Sequence, residues 1–503
     1  MAHIIETKKP MSEHEKTTPT PSIVDIEAPH SIHSVVDPND RLEHLKQEYG
    51  ATWTSLTDPH DPYNFRPRTK FLIGAIFSFG QLIPIMSASM IAPALPAIAK
   101  DLHVSASTAQ MTMSSYFLGM AFAPLLIASA SELWGRKRIW VICNAIYVVW
   151  NALCPVGRKV ELMIVARIMA GAGASVGVTL NGPVMADMYG EKHRGKSLAM
   201  VTLLPYLGPA LGPIVGGLVT QLVHWSWVFW IMSIFNASVI VLGLICIQES
   251  YTPVLLRHKA ATEGNRVSSE LSAKMERVRI ADHMMRPLRL FVRRPIIWFI
   301  ALTGTLSFGV YTLMLSTYAT LWIDKYGQSE FISSLHYISL ALGSTMCGQI
   351  GGHVMDATYK KMSDRAGGKG VPEFRIPYML PGMIIMPAGL FWYGWSAERK
   401  LSWIMVDIGV VVFTLGSFVV GQANNAYQIG EFAEYAASAG AASRSVSYIL
   451  AFVFPIFAPD MYARLGYGWG NSTLAFVSMG VGLPACAAMW FWGAKLRSFG
   501  REK

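Results

Sequence analysis

Twelve stretches of mostly apolar residues alternate with short polar connectors along the chain. They lie at about Phe71–Ile98, Ala106–Ala130, Ile139–Cys154, Leu162–Met188, Leu198–Leu222, Trp225–Cys246, Ile296–Ile323, Ile332–Val354, Pro377–Trp395, Leu401–Gln422, Ala436–Pro459 and Leu474–Gly493. A helix needs about 20 apolar residues to cross the hydrocarbon core of a bilayer, so the pattern predicts twelve transmembrane helices. They fall six and six around the polar stretch Glu249–Arg294. This predicts an all-α integral membrane protein of two pseudo-symmetric six-helix halves. The third run is short, and the ninth carries Pro381 and Pro387, each of which removes a backbone hydrogen bond. The expected organisation is a disordered cytosolic tail (1–69), a first six-helix half (70–248), a cytosolic linker (249–295), a second half (296–494) and a cytosolic tail (495–503).

Composition agrees with this pattern. Of 503 residues, 52% are hydrophobic and only 15% charged, and the mean hydropathy is +0.35. Soluble domains carry nearer a quarter charged residues. The first 68 residues lack the apolar core of a secretory signal. The net charge of +10 is distributed by connector. One set holds Arg136-Lys137-Arg138, Lys192/Arg194/Lys196, ten Lys and Arg in the central stretch, Lys360-Lys361/Arg365/Lys369 and Lys495/Arg497/Arg501/Lys503. The alternate set holds only Lys100, Arg158/Lys159, Lys325 and Arg399/Lys400. The basic side is expected to be cytosolic, with both termini on it. No basic stripe is interleaved with aromatics, so nucleic acid is not an expected partner. The cysteines, Cys143, Cys154, Cys246, Cys347 and Cys486, form no CxxC pair and read as small buried hydrophobes. No metal site and no cofactor is expected, and no GxxxxGK[ST] phosphate loop occurs. Asn471-Ser-Thr matches a glycosylation signal only in a very short connector.

An internal echo supports duplication. Ala128-x3-Glu132-x2-Gly135-Arg136-Lys137 recurs, 224 residues on, as Gly352-x3-Asp356-x2-Tyr359-Lys360-Lys361. Each copy follows the second run of its half, and repeated halves place a binding site between them. Gly135 suits a tight turn, and Glu132 suits a neighbouring helix N-terminus, where the dipole favours an anion. The same stretch also fits a plain positive-inside loop.

Inside the fourth run lies Arg167-x3-Gly171-x-Gly173. An arginine at membrane depth is costly and must face protein or water. It could hold an anion, bias a nearby carboxylate, or bond backbone carbonyls structurally. The fifth run repeats glycine every four residues, Gly208, Gly212 and Gly216 followed by Gly217, beside a stripe of Pro205, Pro209 and Pro213. The glycines allow close helix contact and the prolines invite a bend. A bent, close-packed helix suits a hinge between halves, and equally suits tight packing without motion.

Together these residues resemble the major facilitator superfamily, and within it the fungal twelve-span drug:proton antiporter group. The loop motif is similar to motif A, Arg167 to the motif B arginine, and Gly208-x3-Gly212-Pro213-x2-Gly216-Gly217 to antiporter motif C. Smaller matches are Arg194-Gly195 after Asp187, Trp225-x-Trp227-Val-Phe-Trp230, Glu249-Ser-Tyr251-x-Pro253, Pro372-Glu373-x-Arg375-x-Pro377, Ala437-Ser438-x5-Arg444-Ser445 and Leu465-Gly466-x2-Trp469. The resemblance covers about Phe71 to Arg497. It implies alternating access and proton-driven export of small organic molecules. It also implies a gate in which the motif A acid caps the eleventh helix and the arginine pairs with an acid ending the fourth. Here those residues are Glu132, Arg136 and Asp187, with Gly135, Gly208, Gly212, Pro213, Gly216 and Gly217 as further gating positions. Ala128 and Glu132 depart from the usual glycine and aspartate.

Of the carboxylates, Asp407 alone lies well inside a run, about 9 Å deep at about 1.5 Å per residue. Proton coupling is therefore assigned to Arg167 and Asp407; His336, near the outer side of the eighth run, is a further candidate by residue type. Substrate-facing candidates are polar groups stranded in apolar runs: Gln81, Arg167, Asn181, Tyr311, Gln349, Gln422 and Arg444. Each also fits an interhelical hydrogen bond. Arg167 and Arg444 come from opposite halves and would together suit an anion.

The expected function is a secondary active transporter, not an enzyme, exporting a drug, toxin or secondary metabolite by proton antiport. The expected partners are substrate, protons and the bilayer, with the chain monomeric in the plasma membrane. An organic-acid exporter and a non-transporting nutrient receptor on the same fold are the alternatives.

Overall fold

The computed structural model describes residues 42–43, 45–46, 49–189, 191–263, 285–367, 370–432 and 436–499. Among them, twelve helices span the bundle. The first half is α1 (Pro67–Met90), α2 (Ala106–Trp134), α3 (Arg136–Leu153), α4 (Val160–Met188), α5 (Glu191–Leu222) and α6 (Trp227–Cys246). The second is α7 (Pro295–Thr320), α8 (residues 330–365, in several segments), α9 (Ile376–Glu398), α10 (Trp403–Glu431), and α11 and α12, residues 436–465 and 467–498, which meet at Gly466. Eight helical stretches are long and apolar enough to cross a membrane, the last of them holding both α11 and α12. Each half begins and ends at one face of the bundle, called here the terminal face; the opposite one is the far face.

The helices extend past the apolar runs because polar residues complete their ends. α3 starts at Arg136 and α12 continues to Ser498. Residues 495–498, expected as tail, are thus helix. The two irregular runs form full helices, α9 carrying Pro381 and Pro387 within it. Gly135, at φ +94°, ends α2 at a conformation that residues with a Cβ rarely adopt. Gly466, at φ +69°, does the same between α11 and α12.

The expected disordered segment 1–69 is corrected at its end. Leu45, Tyr49 and Trp53 pack with Leu256 of a short helix, Thr252–Thr262. Lys259 donates to the Thr52 carbonyl at 2.7 Å, so this linker helix and the pre-α1 segment hold each other. Asp58 accepts from the Thr54 amide and hydroxyl at 2.9 and 2.7 Å and from the His60 amide at 2.9 Å. Burial alone would raise its carboxyl pKa, but these bonds hold it below the usual value. Residues 1–41, Arg266, Lys274, Arg277 and Arg279 of the linker, Lys369, Glu434, and Arg501 and Lys503 of the tail lie outside the described residues.

Close approach is set by small residues. Gly119 of α2 faces the Ile168 carbonyl of α4, and Gly171 of α4 faces the Tyr116 carbonyl of α2. Gly80 and Gly243 make room for Trp140, fully buried between α1 and α6. Replacing such a side chain with alanine typically costs about 3–5 kcal/mol. Facing outward are Phe71, Leu126, Ile142, Ile245 and Phe491, all exposed. A belt of this kind is stable only against lipid.

One hydrophobic cluster runs through the first half and into the second, joining Met90 and Phe117 to Leu313, Tyr337 and Val406. The terminal-face part of the second half, with Ile296, Met379, Val420 and Met489, is a separate cluster. The halves therefore share a core toward the far face and not at the terminal face.

Candidate functional site

Hydrogen bonds join the halves from mid-bundle to the far face. Ser445 of α11 donates to the Ala121 carbonyl of α2 at 2.7 Å. Gln110 of α2 donates to the Ser316 carbonyl of α7 at 3.2 Å, and Ser107 of α2 to Asp460 of α11 at 3.0 Å. Gln221, at the far end of α5, accepts from the Phe331 amide of α8 at 3.2 Å. Between these bonds sits an aromatic cluster built from both halves. Phe117 of α2 meets Phe308 of α7 and Tyr448 of α11, with centroids 6.1 and 6.3 Å away. Phe308 stacks on Tyr311, which meets Phe418 of α10 edge-on. Such rings give a large apolar surface with directional edges.

The polar candidates distribute around this cluster. Asn181 of α4 donates to the Gln81 side-chain oxygen of α1. Tyr311 is buried within the aromatic cluster. Gln422 accepts from the Tyr378 hydroxyl at 2.9 Å and donates to the Cys347 carbonyl at 3.4 Å, tying α8, α9 and α10 together. Gln349 is exposed on the irregular turn Cys347–Gly351 of α8.

Arg167 is fully buried inside the first half, stacked on Tyr116 at 4.3 Å and 6.0 Å from Phe229. Gly171 and Gly173, which let α4 approach α2 and α3, place it there. None of its guanidinium nitrogens has a hydrogen-bond partner among the described residues. Arg444 is exposed on α11, near Gly440. The two arginines of the expected paired site thus have different surroundings, Arg167 enclosed by Tyr116 and Phe229 and Arg444 exposed. Sequence spacing gives depth in the bilayer but not which face of the helix the guanidinium leaves.

At the terminal face, Arg136 pairs with Asp187 at 3.2 Å, donates to Ser131 Oγ at 2.6 Å and stacks on Tyr251 at 4.4 Å. Ser250 also donates to Asp187, at 3.3 Å. The carboxylate at the α3 N-terminus is Glu249, which accepts from the Arg136 and Lys137 amides at 2.8 and 3.1 Å. Glu132 lies within the field of Arg136, and its carbonyl accepts from Arg257 at 3.2 Å. Residues 433–435, which precede α11, lie outside the described residues, as does Gly190 after Asp187. Sequence reasoning missed the capping role of Glu249; its position just beyond the sixth run, facing a loop that begins a helix, was the available signal.

The glycine stripe faces α1 rather than the other half. Gly208 meets Ile85, Gly212 meets Ser89 and the Met86 carbonyl, and Gly216 meets the Met90 carbonyl. Gly217, beside the stripe, meets Ser334 and the Glu330 carbonyl of α8. Pro213 lies within α5 between them. The hinge expected between halves thus has its close packing mostly within the first half.

Asp407, one turn into α10, faces His336 of α8, Nδ1 to Oδ2 at 2.8 Å, and accepts from the Tyr318 hydroxyl of α7. Asp407 was expected to act with Arg167; its partners are His336 and Tyr318, in the other half from that arginine.

The family profile described as Major Facilitator Superfamily matches residues 77–455. A probable efflux pump, mfs2, of Aspergillus flavus is 37% identical over 82% of this chain and 99% of its own. The efflux pump vrtL of Penicillium aethiopicum is 34% identical over 90% of each chain. Among solved structures, the xylose transporter XylE from E. coli, in a partially occluded inward-open conformation, superposes with a TM-score of 0.62 at 15% identity, covering 84% of this chain and 97% of that one.

Proposed function

The chain belongs to the Major Facilitator Superfamily, and from that premise we propose that it exports a small organic molecule, a drug, toxin or secondary metabolite, by proton antiport and alternating access. The protein is an integral membrane transporter rather than an enzyme. The observation that carries the export reading is the aromatic cluster Phe117, Phe308, Tyr311, Phe418 and Tyr448 built from both halves, and the Gln81–Asn181 pair joining α1 and α4 supplies polar groups in the first half. Flat rings with few polar groups suit an apolar ligand oriented by a small number of hydrogen bonds. The printed names of relatives, efflux pumps among them, support the same direction.

Alternating access supplies the mechanism. The halves meet at the far face in this conformation, so a ligand enters from the terminal face. Separation of the far contacts and closure of the terminal face then release it. The terminal face is taken as cytosolic on its Lys and Arg excess, and the membrane as the plasma membrane. Arg136, Asp187, Glu132 and Gly135 hold the terminal face of the first half, and the α5 stripe supplies the bend. Proton coupling is assigned to Asp407 and the groups it contacts, and Arg167 sets the field of the first half. An organic-acid exporter has less support, since Arg167 is fully buried against Tyr116 while Arg444 alone is exposed.

The test is untargeted mass spectrometry of medium and cells expressing the protein or a Phe308→Ala, Gln81→Ala variant at matched surface level, with and without a protonophore. A compound exported by the unaltered protein, retained by the variant and retained when the gradient collapses, is the expected result. Export that ignores the protonophore would remove proton antiport while leaving the transporter.

A further inference from the structure

The far end of the second half contains a buried imidazole–carboxylate pair whose geometry records its protonation. His336 and Asp407 are 2.8 Å apart, with side chains 9% and 17% exposed. The other ring nitrogen of His336 lies 3.0 Å from the Gln328 side-chain oxygen. An ionised carboxylate and an amide oxygen are both acceptors. With the Gln328 amide in this orientation both ring nitrogens face acceptors, an arrangement that an imidazolium satisfies by donating to each. The ring stacks on Trp322 at 3.7 Å with planes 9° apart, a placement that favours a cation. Trp403 closes the site edge-on at 6.1 Å.

The groups around the pair add no second positive charge at ion-pair distance. From α7 and its continuation, Tyr318 donates to Asp407 and Tyr326 lies in its field. From α8 come Tyr337, whose hydroxyl donates to the Leu315 carbonyl, and Ser339, 3.3 Å from the Tyr318 hydroxyl. From α9, Tyr393 meets the Tyr318 ring at 5.9 Å. The nearby Lys325 is engaged with Glu398 at 3.5 Å and with the Tyr467 ring. Among the described residues, His336 is the ion-pair partner of Asp407.

The pair also sits where α8 tightens. Glu330–Leu335 and Tyr337–Met346 join at His336, whose φ of −62° and ψ of −19° stay helical and whose carbonyl accepts from the Ser339 amide at 3.0 Å. The segment before His336 is the tip that closes onto the other half: Ser334 and the Glu330 carbonyl abut Gly217, and the Phe331 amide donates to Gln221. Gln328, held by the imidazole, leads into that tip, and Ser329 caps it.

We propose that His336, clamped by Asp407 and Tyr318, is a proton-binding site that latches the far gate. Protonated, the ring holds Gln328 and Asp407 at once and seats the α8 tip on α5. Loss of one proton leaves a ring nitrogen facing an oxygen lone pair, so Gln328 must either turn its amide to donate or let go, and in both cases the charge that ties the tip to Asp407 is lost and the tip is loosened. The closed state is then favoured below the pKa of the ring and weakens as pH rises through it. The inference deepens the proton-antiport reading and rests on it for its place in the cycle.

The test uses the full chain in lipid nanodiscs, its five cysteines replaced by alanine and spin labels placed by Lys159→Cys and Arg399→Cys on far-face loops of the two halves. Distances are measured by electron–electron resonance between pH 8.5 and 5.5. The short, closed population is expected to rise as pH falls, by up to about tenfold per pH unit, the ceiling for one coupled proton. His336→Gln and Asp407→Asn are expected to flatten that response, and Tyr318→Phe, which keeps both charges, to retain it. Gln328→Leu, which removes only the second acceptor, is expected to move the midpoint to lower pH; it serves if the other variants do not elute as a single species. A response that persists in both His336→Gln and Asp407→Asn, an unmoved Gln328→Leu midpoint, or no response in the unaltered protein would overturn the latch. Protonophore-insensitive export with an intact, His336-dependent response would instead remove antiport and leave the latch standing.

Discussion

The terminal faces of the two halves are held by charge networks of opposite design. In the first half the arginine is at the start of the third helix: Arg136 pairs with Asp187 at the end of the fourth, and Glu249, beyond the sixth, caps the third. In the second half the arginine is at the end of the sixth helix of that half. Arg497 of α12 grips Glu373, just before α9, at 2.7 and 3.0 Å, and Glu431, ending α10, at 3.2 Å. Arg294, before α7, adds a bond to Glu431 at 2.7 Å, and Tyr427 donates to Glu373 at 3.3 Å. The same three helix ends are tied in both halves, with acid and base exchanged. The reason lies in one position of the echo. Gly135 stops α2 and turns the chain so that Arg136 starts α3 buried. Its counterpart is Tyr359, and there the helix continues to Arg365 with Lys360 exposed. With no turn to aim a cation inward, the second half takes its cation from α12.

The largest effect is expected where one cation serves two carboxylates. Arg497→Met leaves Glu373 and Glu431 short of a partner, and Glu431 is 1% exposed. Breaking a buried pair costs about 3–5 kcal/mol, and this variant is expected at the upper end. Thermal unfolding of the purified protein in detergent measures it; a melting temperature unchanged from the parent would show that the second-half network carries no stability.

Asp187→Asn is expected to cost less, toward the lower end of about 3–5 kcal/mol. Arg136 keeps Ser131 Oγ and the Tyr251 ring, and Glu249 still caps α3. The same melting assay checks the order, and a loss exceeding that of Arg497→Met would reverse the comparison.

These networks mark the limit of what the amino-acid sequence discloses. The number of helices, their division into halves and the loop turn at Gly135 are local: run length, a charge bias and one backbone angle. Partner choice is not. Glu249 was visible only as part of a short motif after the sixth run, and Arg497 only as a tail cation, because which of several acids meets a cation depends on helix rotation. Arg167 shows the same limit: its depth was readable, its burial behind Tyr116 was not. His336 and Asp407 are 71 residues apart and meet only through the packing of α8 against α10.

Glu249→Gln isolates the cap from the ion pair. The amide oxygen can still accept, but the negative charge at the α3 N-terminus is lost. Helix-end charges contribute about 0.3–1 kcal/mol at exposed sites and up to about 2 when partly buried. A loss of about 1 kcal/mol is expected, below that of Asp187→Asn, and an effect as large as the Asp187 variant would make capping, not pairing, the main tie of the first half.

Two glycine positions separate the two copies of the echo most cleanly, because their effects have opposite signs. Gly135→Ala places a Cβ at φ +94° and against the Glu249 carboxylate. With ψ at 155° this is a conformation open essentially to glycine, which costs a residue with a Cβ about 1–3 kcal/mol, so a loss of about that size is expected. Gly352 begins a regular helical stretch and has nothing within 4 Å of an added Cβ. Alanine there removes conformational freedom from the unfolded chain, and a gain of about 0.5–1 kcal/mol is expected. The pair is read from chemical or thermal unfolding of the two single variants side by side. If Gly135→Ala were neutral, the turn would not be what aims Arg136 at Asp187, and the explanation for the exchanged charges would fail with it.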